Sequence, residues 1–170
     1  MTRPGHGPTW LHALLAACGG FLIATLWFDL MFDVQVRGHP APAGPLPEAV
    51  VASIAGYYRR VTTEAHPMQW LVGAVMAVTL LGTAWTLRYA SHRVLRWTAV
   101  LTAAVPIGLA AARVFPDAVR LGTRAGSLGE QSALARSIFA DHVLCLVSIG
   151  LFTAIQIALA RRGASVVAGR

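Results

Sequence analysis

Asp141 and His142 stand side by side near the start of the last apolar stretch of this chain, with Arg136 just before them. Asp29 and Asp33 are spaced i, i+4, so they share one face if the first apolar stretch continues as a helix. Arg113, Asp117 and Arg120 follow an i, i+4, i+7 pattern, and Arg59, Arg60, Glu64 and His66 crowd the entry to another apolar stretch. These residue types leave three readings open. Arginines and carboxylates pair to hold loops onto a helical bundle. Alternatively, Arg or His binds the polar head of a small amphiphile whose apolar body lies among the helices. Thirdly, Asp29, Asp33, Asp141 and His142 supply carboxylates and imidazole, a set that suits iron, manganese or zinc. No Glu-x-x-His, His-x-x-x-His or cysteine cluster accompanies them, so the sequence names no metal or other cofactor. His12 and His142 fall at opposite ends of their stretches, which does not suit a haem held between two spans.

The elements that must position these groups follow from composition. With 56% hydrophobic and 12% charged residues and a positive mean hydropathy, the chain does not fit an ordinary soluble domain. A helix needs about 20 apolar residues to cross a hydrocarbon layer of about 30 Å. Four stretches meet this, near residues 10–28, 67–87, 94–112 and 141–160. The expectation is an all-α integral membrane four-helix bundle over residues 1–170, a single domain with an additional amphipathic helix on its outer face. The first stretch is longer than the apolar core of a signal peptide and is followed by Asp29, Met31, Phe32 and Asp33 rather than a cleavage site, so it is expected to remain as a span.

Orientation rests on the arginines, since the chain has no lysine. The short connection between spans two and three carries Arg88, Arg93 and Arg96 with His92 and no acid. Arg161, Arg162 and Arg170 follow span four, and Arg3 precedes span one. Short basic loops beside span ends stay in the cytoplasm, which predicts a multi-pass protein of a bacterial-type inner (plasma) membrane with both termini cytoplasmic. All seven acids, Asp29, Asp33, Glu48, Glu64, Asp117, Glu130 and Asp141, then fall on the outer side. The formal charge of +7 suits anionic head groups; no basic run interleaved with aromatics suggests nucleic acid.

Two longer outer segments, approximately residues 29–66 and 113–136, join the spans. His39 to Pro45 is proline-rich and reads as a stiff extended loop. From Pro47 and Glu48 onward, Val50, Ile54, Tyr57 or Tyr58, and Val61 recur at helical spacing, predicting an amphipathic helix over 47–64 that lies on or dips into the outer membrane face. Ala16, Gly20 and Ala24 form a small-xxx-small face for close helix packing, and Pro106 predicts a kink in span three. The five tryptophans fall mostly near span ends. Cys18 and Cys145 differ in depth by roughly 10–15 Å, too far for a disulfide.

The order of these features resembles the small four-helix membrane proteins related to fungal anthrone oxygenases. The likeness covers the layout of most of the chain. It is carried by Gly19-Gly20-Phe21 in the first span, the outer helix running into a proline-started second span, Phe115-Pro116-Asp117-Ala118-Val119-Arg120-Leu121 closing the third, and Asp141-His142-Val143 opening the fourth. Leu144 and Cys145 stand where an arginine often follows in the family, and Asp117 where an amide is expected. The resemblance implies oxidation of a phenolic or anthrone-like substrate by oxygen without a dedicated cofactor motif. His142, oriented by Asp141, would abstract a substrate proton, and Arg113 or Arg120 would stabilise the oxyanion. Neighbouring helical residues point about 100° apart, so Asp29 or Glu64 from another helix is an alternative partner for His142. Asp117, Arg59, Arg60, Glu64, His66, Asp29 and Asp33 are candidates to line the substrate site. A rival reading is a non-catalytic accessory or assembly subunit of a membrane protein complex, docking through the loop at 38–47 and the amphipathic helix.

Overall fold

A computed structural model of the chain describes residues 7–40 and 44–168, with side chains described as far as residue 165. The centre of the proline-rich loop, residues 41–43, lies outside the described residues, as do Arg3 and Arg170. Among the described residues every regular element is helical. Helix α1 runs Thr9–Asp33 and leads through a 3-10 turn, Val34–Gly38, to the loop; α2 spans Glu48–Thr63 and α3 His66–Thr86. Helix α4 spans Arg93–Leu109, continues through a π-helical turn, Ala110–Val114, into α5, Phe115–Gly122, and α6 covers Leu128–Ala168.

Local chemistry explains the boundaries. Glu48 places a carboxylate in the first turn of α2, where the positive helix end favours it, and Pro67 and Pro116 occupy first-turn positions of α3 and α5 that need no amide hydrogen bond. Helix α6 begins with a capping box: Ser127 N–H donates to Glu130 Oε2 at 2.6 Å, and Glu130 N–H donates back to Ser127 Oγ at 3.3 Å. Thus the segment expected as an outer connection, 113–136, is mostly helix, with α6 entering well before residue 141.

Four helical stretches are long and apolar enough to cross a membrane: Thr9–Gly38, His66–Thr86, Arg93–Gly122 and Leu128–Ser165. They pack in a ring, α1 against α6, α6 against α4, α4 against α3 and α3 against α1. Leu11, Leu15, Ala99, Ala103, Phe152, Ile155 and Leu159 form a core near the end that carries both termini. A second core lies at the other end, where the acids gather. It joins Val36, Leu46, Val51, Ile54, Ala55, Tyr58, Val114, Ala118, Leu121, Ala135 and Ile138.

The packing at this core and along α1 departs from two expectations. The apolar face of α2, with Val51, Ile54, Ala55 and Tyr58 buried, is turned onto α5 and the start of α6 rather than onto a membrane surface. Gly122 makes the close approach possible: a Cβ there would stand 2.9 Å from Arg59 N. The stripe Ala16-Gly20-Ala24 does not form a helix contact within the chain, since Ala24 is exposed and a Cβ on Gly20 would meet nothing. Gly19, one residue earlier, is the close-packed position, with Thr153 against it. Pro106 sits within α4, and a π turn, which shifts the helical register, follows four residues later. Both cysteines are buried and unpaired.

Candidate functional site

Three helices bring their polar groups together at the acidic end. Helix α1 continues beyond residue 28 to Asp33, which puts Asp29 and Asp33 on one face as the spacing requires. The tyrosines of α2 reach this face: Tyr57 OH donates to Asp29 Oδ1 at 2.6 Å, and Tyr58 OH donates to Asp33 Oδ1 at 2.7 Å. Phe32 stacks on Tyr57 with ring centroids 4.0 Å apart, which fixes the phenol plane. From α6, His142 Nδ1 lies 2.6 Å from Asp33 Oδ2, and His142 Nε2 lies 3.8 Å from Asp29 Oδ2. Asp33 is fully buried and His142 nearly so.

Each Asp33 oxygen therefore has one partner, an imidazole on one side and a phenol on the other. An Nδ1–H donor to the carboxylate leaves the Nε2 lone pair of His142 facing Asp29. Burial, and next the Asp29 carboxylate beside it, pushes the Tyr57 hydroxyl above the ordinary phenol range. Burial and then Asp33 do the same to Tyr58. Both phenols are thereby kept as protonated donors.

Asp141 does not orient His142. It turns to α4's continuation, where Arg113 Nη2 lies 3.0 Å from Asp141 Oδ2 as an ion pair without hydrogen-bond alignment, and Arg113 donates instead to Ser137 Oγ at 2.9 Å. The physical reason is the helical step of about 100° between neighbours, which sends Asp141 and His142 to different partners. The hydrogen-bond contact with His142 expected of Asp141, Asp29 or Glu64 is made by Asp33.

The remaining candidates separate. Arg120 is largely exposed and pairs with Asp117 on its own helix at 3.4 Å, so the π turn and α5 carry it into a pairing of their own. Arg59, Glu64 and His66 are exposed near the α2–α3 junction. Arg60 and Glu64 do come together with Tyr57, Val61 and Ala65 around a shallow, open groove of about 400 Å³. Tyr57 is thus shared: it lines the groove, and its hydroxyl donates to Asp29. No group of three or more metal-ligating side chains is placed to hold an ion among the described residues.

Tyr57 and Tyr58 were missed as functional groups because their spacing fits the apolar face of α2. The available signal was that adjacent phenols on such a face need partners for their hydroxyls when buried, and Asp29 and Asp33, already candidates for the site, share one helix face. Arg136, noted only as a neighbour of the site, secures the proline-rich loop by donating from Nη2 to His39 O at 3.0 Å and Gly44 O at 2.9 Å. Compared with known protein families, curated proteins and solved structures, the chain matches none.

Proposed function

We propose that the chain is a four-span protein of a bacterial-type inner membrane, with both termini cytoplasmic, and that its outer end is an acid–base site for an amphiphilic small molecule. Helix lengths and tryptophan placement support the membrane reading. Trp10 and Trp27 on α1 are both exposed, and their 17-residue separation corresponds to about 26 Å along a helix, close to the thickness of a hydrocarbon layer. Trp70 and Trp85 repeat the arrangement on α3. The acid-free connection Arg88–Arg96 supports the cytoplasmic placement of the terminal end.

The observation that carries the chemical reading is the continuous contact from groove to base. A ligand in the groove meets Tyr57, Tyr57 is bonded to Asp29, Asp29 approaches His142 Nε2, and Asp33 holds the other face of the imidazole. A substrate with an acidic proton, its apolar body against the helices, loses that proton through Tyr57 and Asp29 to His142. The anion left behind remains beside Arg60 at the groove. His142 is too buried to touch a ligand seated in the groove, which makes the relay necessary. The resemblance to anthrone-oxygenase-related proteins suggests a phenolic substrate, with dioxygen as acceptor of its electrons after deprotonation.

The test is native mass spectrometry of the protein extracted from its own membrane in mild detergent. A small-molecule adduct on the chain, retained by the wild type and lost on Arg60→Ala, supports the reading. Stoichiometric capture of other polypeptides with no small-molecule adduct would replace it with the accessory-subunit role. Turnover of the identified molecule is expected to vanish in His142→Ala while the protein stays folded.

A further inference from the structure

The opposite end of the bundle holds a second polar cluster that the acid–base site does not use. Arg96, at the start of α4, is 2% exposed. Its guanidinium donates from Nη1 to Thr86 O at 2.8 Å, from Nε to Ser91 O at 2.7 Å and from Nη2 to Ser91 Oγ at 3.3 Å. These bonds use three of its five N–H groups, and among the described residues no carboxylate pairs its charge, since all seven acidic side chains belong to the other end. A buried cation without a counter-charge carries a large desolvation cost.

A second buried base stands beside it. His12 Nδ1 is 2.8 Å from Gln156 Oε1, and its Nε2 and Arg96 Nη1 both border Gly7. The space between them is kept open by Gly7, where a Cβ would stand 3.3 Å from Arg96 Nη1 and 3.3 Å from His12 Nε2. The amide nitrogen of Gln156, itself fully buried, has no hydrogen-bond partner. Together His12, Ser91, His92, Arg96, Arg162 and Gly163 surround a cavity of about 10 Å³ with an open side. That is the space of about one oxygen atom.

We infer that this cavity binds a phosphate-bearing anion, one of whose oxygens enters between Arg96 and His12 while Arg162 meets the remainder at the mouth. Guanidinium groups favour phosphate because their planar donors match its oxygens and their charge offsets it. Basic pockets between spanning helices on the cytoplasmic side are suited to anionic head groups, so the membrane reading makes a phospholipid one source and free phosphate the other.

The full chain, delipidated in mild detergent, is titrated with phosphatidylglycerol, phosphatidylcholine or inorganic phosphate and read by native mass spectrometry. Retention of one phosphatidylglycerol, preferred about tenfold or more over phosphatidylcholine, assigns the site to a lipid head group. Binding of inorganic phosphate without that preference assigns it to the free anion, and both results support the site. Arg96 also secures the α3–α4 connection, so the informative variants are Gly7→Val, which fills the cavity, and Arg162→Gln, at its mouth. Each is expected to weaken binding about tenfold. Equal retention of the two lipids with no phosphate bound, or binding unchanged in both variants, overturns the inference.

Discussion

His142 Nδ1 lies 2.6 Å from Asp33 Oδ2, joining two residues 109 positions apart in the chain. The contact couples the end of α1 to α6 at full burial, and the second oxygen of Asp33 extends it to Tyr58 on α2. One carboxylate therefore links the two spans to the helix that caps them.

Replacing Asp33 with Asn is expected to disturb His142 directly, whereas Asp141→Asn is not. Nitrogen-15 NMR of the histidine rings reads this without any substrate: the His142 resonances shift in the first variant and stay near the wild type in the second. The reverse pattern would restore Asp141 as the orienting group. Because Asp33→Asn weakens two buried bonds, it should also cost about 1–3 kcal/mol in detergent unfolding.

Tyr58 makes stability depend on alkaline pH. Its folded-state pKa is raised by burial and Asp33, so its contribution is complete below the ordinary phenol pKa of about 10 and is lost as pH rises above it. The expected slope approaches 1.4 kcal/mol per pH unit, roughly, for this buried group, with a smaller addition from half-buried Tyr57. Urea unfolding between pH 9 and 11 (roughly one unit on either side of that pKa) should show the decline, and Tyr58→Phe should flatten it.

Gly122→Ala should push α2 away from α5, because the new Cβ meets the backbone at Arg59 and Tyr58 rather than a flexible side chain. A loss of about 1–3 kcal/mol is expected. Gly20→Ala, facing open space, should stay within about 0.5 kcal/mol of the wild type. Thermal unfolding of the two variants side by side checks the contrast.

Arg136→Ala should free both ends of the proline-rich loop, since one guanidinium nitrogen holds His39 O and Gly44 O. Hydrogen exchange at Gly44 and at His39 is expected to speed up while exchange in the centre of α6 is unchanged. Equal protection in the variant would show that Leu46, buried and donating its N–H to Ser132 Oγ at 2.9 Å, holds the loop without help.

The sequence by itself determined the all-helical class, the four apolar stretches and the sorting of acids to one end. These depend on composition and on periodicity along a single segment, such as the run around Trp10–Phe28 or the helical spacing through Ile54 and Val61. It also placed Asp29 and Asp33 on one face, because that relation is internal to one helix. Only the tertiary structure decided which partners those faces meet. Tyr57 and Tyr58 find the two carboxylates because Gly122 lets α2 settle against α5. His142 finds Asp33 rather than Asp141 because α1 and α6 pack along each other, while the π turn at Ala110–Val114 delivers Arg113 to Asp141. Residue spacing is a property of one helix, but a site shared by α1, α2 and α6 depends on their relative rotation and depth, which packing sets and local sequence does not encode.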